Sequence, residues 1–96
     1  MYLVAGLGVT GQSVLRYFQA QGEPCLAYDT REELDVSHIA ALFTGVEFAT
    51  GQLPADWISQ IDTVVLSPGI SVEEPWVAGL RRLGKPIIGD VELFCR

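Results

Sequence analysis

Apolar residues recur along this chain with two different periods, and the alternation between those periods predicts its elements. The first run, Tyr2-Leu3-Val4-Ala5, is short and uninterrupted, as a strand buried on both faces requires. Val14, Leu15 and Phe18 then repeat at helical spacing as far as Gln21, and Gly22 stands where a helix stops in the left-handed conformation. Pro24-Cys25-Leu26-Ala27-Tyr28 is the next apolar run and predicts a second strand ending at Asp29. Strand, helix and strand fit within about 30 residues, the size of one βαβ unit with a right-handed crossover.

The pattern continues in the same alternation. Arg31 to Asp35 reads as solvated, and Ser37 to Phe43 as a short helix with Ser37 as its N-cap. Gly45 precedes Val46-Glu47-Phe48-Ala49, an apolar–polar alternation that suggests a third strand. Pro54 at a first helical position, followed by Trp57, Ile58 and Ile61, predicts another helix. Thr63-Val64-Val65-Leu66, β-branched and uncharged, is the clearest buried strand. Pro75 opens a helix that carries Trp76, Val77, Leu80 and Leu83 inward and stops at Gly84, and Pro86-Ile87-Ile88-Gly89 predicts a fifth strand. Asp90 would cap a last helix over Val91 to Arg96, shorter than the 12 or so residues an isolated helix needs, so the chain is expected to be a fragment of something longer. The expectation is one α/β domain over residues 1–96: a Rossmann-like doubly wound parallel sheet of about five strands with helices on both faces.

Charge narrows the partners. Six basic and twelve acidic residues give a formal net charge of −6, which argues against a broad electrostatic grip on nucleic acid or anionic lipid. An anionic ligand would have to be held locally, by backbone donors and helix ends. No apolar run approaches the 20 or so residues of a membrane span, and no leader pattern opens the chain, so the expected location is the cytoplasm, without membrane insertion. Cys25 and Cys95 are too far apart in sequence for a CxxC pair or a zinc cluster and read as small apolar fillers, and His38, the single histidine, reads as a surface residue. No metal site is expected.

Candidate chemistry lies where strands end. Gly6-Leu7-Gly8-Val9-Thr10-Gly11 follows a strand and opens a helix, the setting in which the first glycine permits a sharp turn, the second lets backbone approach a phosphate and the third lets helix and strand pack closely. Its alternative is a plain glycine turn. In a doubly wound sheet, ligands sit beyond the carboxyl ends of the strands, and three such loops are expected there: Gly6 to Gly11, Asp29-Thr30-Arg31, and Ser67-Pro68-Gly69-Ile70. Asp29 follows Gly11 by 18 residues, the place of the acidic residue that holds a ribose hydroxyl, so spacing alone suggests NAD; the alternative is a solvated strand end with an Asx turn. Arg31, the cation nearest these loops in sequence, is the candidate to pack on a base or pair with an anion. Gly69 either serves a turn that needs a positive φ or leaves room for a ligand. No nucleophile with a histidine base, no carboxylate pair in one loop and no GxxxxGK[ST] is present, so no catalytic residue is assigned.

Taken together, Gly6-Leu7-Gly8-Val9-Thr10-Gly11, Asp29-Thr30-Arg31, Ser67-Pro68-Gly69-Ile70 and Gly89-Asp90-Val91-Glu92-Leu93-Phe94 resemble, in that order, the N-terminal domain of the Mur ligases, over nearly the whole chain. The S-P-G-[IV] and G-[DE]-x-E-L-F elements are the specific ones, and Asp-Thr-Arg favours the branch that adds D-glutamate to UDP-N-acetylmuramoyl-L-alanine. The resemblance implies a cytoplasmic enzyme of peptidoglycan biosynthesis that uses ATP and magnesium, with this domain holding the UDP part of the substrate and needing no cofactor itself. It implies UDP contacts at Gly8, Val9, Thr10, Asp29, Thr30, Arg31, Ser67 and Gly69: Val9 and Thr10 at the diphosphate, Asp29, Thr30 and Arg31 at the uracil. ATP binding and catalysis belong to domains beyond this chain. Because the chain starts almost on its first strand, that strand is expected to fray. The competing readings are an NAD-binding domain of a dehydrogenase or regulatory protein, and a free-standing interaction module.

Overall fold

Five short strands pair in parallel in the order β3-β2-β1-β4-β5. The computed structural model describes residues 1–89. They run β1 Tyr2–Ala5, α1 Val9–Gln21, β2 Cys25–Asp29, α2 Ser37–Leu42, β3 Glu47–Thr50, a 3₁₀ turn Ala55–Trp57, β4 Thr63–Leu66, α3 Pro75–Arg82 and β5 Ile87–Gly89. The expected final helix after Asp90 lies outside the described residues. The chain moves outward through β1, β2 and β3, then crosses back to lay β4 on the other side of β1. Strand order therefore reverses between β1 and β4, and ligand crevices of doubly wound sheets open at such a point.

The two-residue period of the strands divides the core in two. Val4, Ala27, Val65 and Ile88 face α1 and α2, packing with Val14, Leu15, Phe18 and Ile39. Leu3, Leu26, Tyr28, Val64 and Leu66 face the other way, against Trp57, Ile61, Val77 and Leu80. Each large apolar side chain so enclosed contributes about 1.5–3 kcal/mol. The strand expected to fray is paired on both sides: β1 pairs with β2 and β4 along its length, and the Asp62 N–H donates to the Met1 carbonyl at 2.8 Å. Phe18 also stacks on Tyr2, ring centroids 4.5 Å apart.

Four expectations change in detail. Ser37 is not the N-cap of α2; it is the first helical residue, and the Asp35 carboxylate accepts its N–H at 3.0 Å and its hydroxyl at 2.6 Å. An acceptor two residues upstream closes that turn better than a hydroxyl already inside it. Pro54 precedes a single 3₁₀ turn instead of opening an α-helix. Only eight residues separate it from β4, and Trp57 in that turn and Ile61 just beyond it are already buried, so nothing offsets the cost of nucleating a longer helix. Leu83 points outward, 62% exposed, because α3 ends at Arg82 and Leu83 falls off its apolar stripe. β2 and β5 begin one residue late because Pro24 and Pro86 have no N–H for the ladder, though the Pro86 carbonyl still accepts the Val64 N–H at 2.9 Å.

Candidate functional site

The glycine loop is built by contacts that only glycine permits at two of its three positions. Gly6 turns the chain out of β1 at φ +94°, and its N–H donates to the Tyr28 carbonyl at 2.8 Å. A Cβ there would lie 2.5 Å from Ser67 Cβ, so the loops after β1 and β4 touch through this glycine. Gly11 lies so close to Gly6 that a Cβ on it would stand 1.7 Å from the Gly6 carbonyl oxygen. Gly8 differs: its backbone is extended, at φ −77° and ψ −161°, it is exposed, and a Cβ would meet nothing within 4 Å. The space above it is free for a ligand. α1 starts at Val9 with no capping side chain and no acidic residue in its first turn. Its first N–H groups have no partner within the helix and face the solvent end of the loop with the positive pole of the helix dipole.

Asp29 holds this loop to the next one. Its side chain is 4% exposed and accepts four hydrogen bonds: Leu7 N–H at 2.9 Å, Arg31 N–H at 2.9 Å, and Arg31 Nε and Nη2 at 3.0 Å each. Burial pushes the carboxyl pKa up, but the Arg31 and Leu7 donors and the guanidinium charge outweigh it and hold the group below the ordinary carboxylate value. The Arg31 fork is thereby fixed in orientation while its side chain stays 60% exposed. With four donors on two oxygens the carboxylate is saturated. A ribose hydroxyl, as at an NAD site, or a uracil would reach Asp29 only by displacing one of these donors.

The third loop is a four-residue turn closed by Ile70 N–H on the Ser67 carbonyl, 3.0 Å, and tied to β1 by Ser67 N–H on the Ala5 carbonyl, 3.0 Å. Gly69 does not adopt a positive φ, and a Cβ on it would meet nothing within 4 Å. Backbone strain therefore gives no reason for a glycine there.

Together the three loops enclose a cleft of about 320 Å³ at the carboxyl ends of β1, β2 and β4. Six of the expected residues line it: Gly8, Asp29, Thr30, Arg31, Ser67 and Gly69. Val9 and Thr10 do not; they follow at the mouth, on the first turn of α1, with Val9 86% exposed. Among the described lining residues Arg31 is the one basic side chain, and its charge is matched by Asp29. Gly6, Leu7 and Ile70 complete the wall; they belong to the expected loops but were not among the expected contacts, and a fourth strand-end loop, at Gly51, which backs the second, was missed. No local signal marked it: Gly51 stands two residues beyond the expected strand Val46-Glu47-Phe48-Ala49. Cys25 is buried, and burial first, with the Glu23 charge second, raises its thiol to about 11, as suits a filler. No group of three or more potential metal-ligating side chains occurs among the described residues, and no helix there is long and apolar enough to cross a membrane.

The sequence profile of the family described as Mur ligase MurD-like, N-terminal domain, matches residues 1–89. A protein named UDP-N-acetylmuramoylalanine–D-glutamate ligase from Hydrogenovibrio crunogenus is 58% identical over 96 residues, covering 100% of this chain and 21% of that protein. One of the same name from Alcanivorax borkumensis is 42% identical over 95 residues, covering 98% of the chain and 22% of that protein. The chain thus spans about a fifth of the length of these relatives. Among solved structures, a pseudomurein peptide ligase type C from Methanothermus fervidus superposes with a TM-score of 0.78 at 16% identity, covering 99% of this chain and 20% of that one, a likeness of fold.

Proposed function

Since the chain belongs to the family of Mur ligase MurD-like N-terminal domains, we propose that it binds the UDP moiety of UDP-N-acetylmuramoyl-L-alanine within an ATP-dependent cytoplasmic ligase that adds D-glutamate in peptidoglycan biosynthesis. One observation carries the proposal: three strand-end loops converge on one cleft at the strand-order reversal, beside an open, acid-free helix start. At about 320 Å³ the cleft is at the small end for ligand sites, which run to about 1,000 Å³. That suits a nucleoside against Thr30, Arg31, Ser67 and Gly69, with the diphosphate passing over Gly8 to the N–H groups of Val9 and Thr10. Anchoring a remote UDP uses its binding energy to orient the muramoyl carboxylate elsewhere in the ligase. Residues 1–96 are then a substrate-holding domain, with ATP and magnesium held by the central part of the parent and D-glutamate mostly by its third.

UDP is expected to bind this chain at millimolar to high micromolar concentration, roughly 4 to 6 kcal/mol, because the rest of the substrate finds no partners here. Amide shifts of Gly8, Thr10 and Arg31 would follow UDP and ignore NAD. The reverse pattern would replace the proposal with an NAD site. Gly8→Val places a branched side chain in the open space over the loop and should weaken UDP at least tenfold, about 1.4 kcal/mol, in a chain that still folds. Equal affinity in folded Gly8→Val would take the loop out of the site. With ATP, magnesium, D-glutamate and the UDP-muramoyl substrate supplied, phosphate release by the chain alone should stay at background, since acyl-phosphate formation needs a triphosphate cradle that this sequence lacks. Turnover that tracks its concentration through repurification would contradict this.

A further inference from the structure

The second loop of the cleft rests on a layer that contributes no atom to the cleft wall. Beyond β3 the chain turns at Gly51, whose N–H donates to the Asp29 carbonyl at 2.9 Å and whose own carbonyl accepts the Tyr28 hydroxyl at 2.7 Å. Gly51 is held at φ +80°, and a Cβ on it would lie 2.7 Å from Glu32 Cγ and 3.4 Å from Glu32 Cα. Glu32, the residue after Arg31, therefore lies directly on this glycine. Tyr28 is fixed in turn: it is 2% exposed, with its ring edge-on to Trp76 at 5.1 Å between centroids. The loop bearing Thr30 and Arg31 is thus held from below by Tyr28 and Gly51 and from the side by the Asp29 carboxylate. The glycine loop is tied to the same layer by other atoms, its Gly6 N–H on the Tyr28 carbonyl and its Leu7 N–H on the Asp29 carboxylate, and bonds neither to Gly51 nor to the Tyr28 hydroxyl.

We propose that Gly51 and Tyr28 are positioning residues that set the height of the Thr30–Arg31 loop and so govern recognition of the base, leaving the phosphate end alone. The proposal rests on the nucleotide reading above. Raising Glu32 by even part of the overlap at Gly51 would tilt the Arg31 fork, whose other support is Asp29. Loss of the Tyr28 hydroxyl would free the Gly51 carbonyl and soften the same support.

The test is calorimetric titration of the wild-type chain, Tyr28→Phe and Gly51→Ala with UDP and, separately, ADP, which share the diphosphate and differ in the base. Wild type should prefer UDP by about tenfold. Gly51→Ala should bring the UDP-to-ADP ratio close to one, and Tyr28→Phe should lower it about threefold, with ADP affinity within about twofold of wild type throughout. General loosening of the domain would weaken both nucleotides equally and leave the ratio unmoved, which would overturn the proposal. So would a wild type that binds both nucleotides equally. If Gly51→Ala does not fold, Tyr28→Phe decides, because it keeps the packed ring and removes one hydroxyl. A wild type that binds neither nucleotide would instead refute the nucleotide site itself.

Discussion

Gly11→Ala should cost this domain about 3–5 kcal/mol of stability, while Gly8→Ala, three residues earlier, should stay within about 0.5 kcal/mol of wild type. Both belong to the same motif, and helix propensity predicts the opposite order. Gly11 is inside α1, where alanine is ordinarily better than glycine by about 1 kcal/mol. That gain is overridden by geometry: the new methyl would sit 1.7 Å from the Gly6 carbonyl oxygen and 2.8 Å from its carbon, both backbone atoms that no rotamer change can move aside. Either α1 lifts off β1, losing the burial of Val14, Leu15 and Phe18, or Gly6 leaves the φ of +94° that joins β1 to the helix. A domain of this size has only about 5–15 kcal/mol in total. Urea titrations followed by the fluorescence of Trp57 and Trp76 would measure the difference. A Gly11→Ala midpoint equal to that of wild type would mean that the close approach of helix to loop does not exist in solution.

The contrast between those glycines marks what a sequence can and cannot say. Periodicity placed every strand of the sheet to within a residue, because β-branched apolar runs such as Thr63-Val64-Val65-Leu66 have no stable alternative to a doubly covered strand. It also placed the glycine loop and the Asp29 and Ser67 loops at one edge, since a parallel sheet brings all strand ends to the same side. Three-dimensional saturation was not legible. Asp29 at the end of a strand reads as a free ligand for a ribose, and only the fold reveals that Leu7, 22 positions earlier in the chain, and Arg31 fill both its oxygens. Gly51 was invisible for a related reason: its role depends on Glu32 lying on it, a contact between loops that no local pattern encodes. Where the outcome hung on competition between weak local signals, as at Pro54 or Ser37, tertiary packing chose the shorter or displaced element.

Asp29→Ala should lower stability by about 2–4 kcal/mol at neutral pH and, on the proposed function, remove measurable UDP binding, because one carboxylate holds both the glycine loop and the Arg31 fork. The substitution leaves the Leu7 N–H buried without an acceptor, a loss of about 1–3 kcal/mol, and releases a guanidinium that has no other hydrogen-bonding partner among the described residues. The pH dependence distinguishes charge from shape. Asp29 is held below its ordinary pKa in the folded chain, so its ionised form is what favours folding. Its contribution is complete above the unfolded-state value of about 3.9 and disappears as pH falls through the lower folded-state value. Stability of wild type should therefore drop below about pH 4 more steeply than that of Asp29→Ala, and the gap between the two curves should narrow as the pH falls further, to what an uncharged carboxyl that still accepts the Leu7 N–H retains over alanine. Asp35, held low by Ser37, and Asp62, held low by the amino terminus, add acid sensitivity of their own, but both remain in the variant and cancel in the difference. Asp29→Asn adds a control of nearly the same shape: it can still accept the Leu7 N–H yet carries no charge, so it should recover part of the stability with little pH dependence in its difference from Asp29→Ala. Urea unfolding of the three proteins at pH 7, 5, 3.5 and 2.5 would separate the cases. A wild-type-minus-Ala difference that stays constant across that range would mean that Asp29 acts by filling space, and that the ion pair with Arg31 is not what orders the cleft.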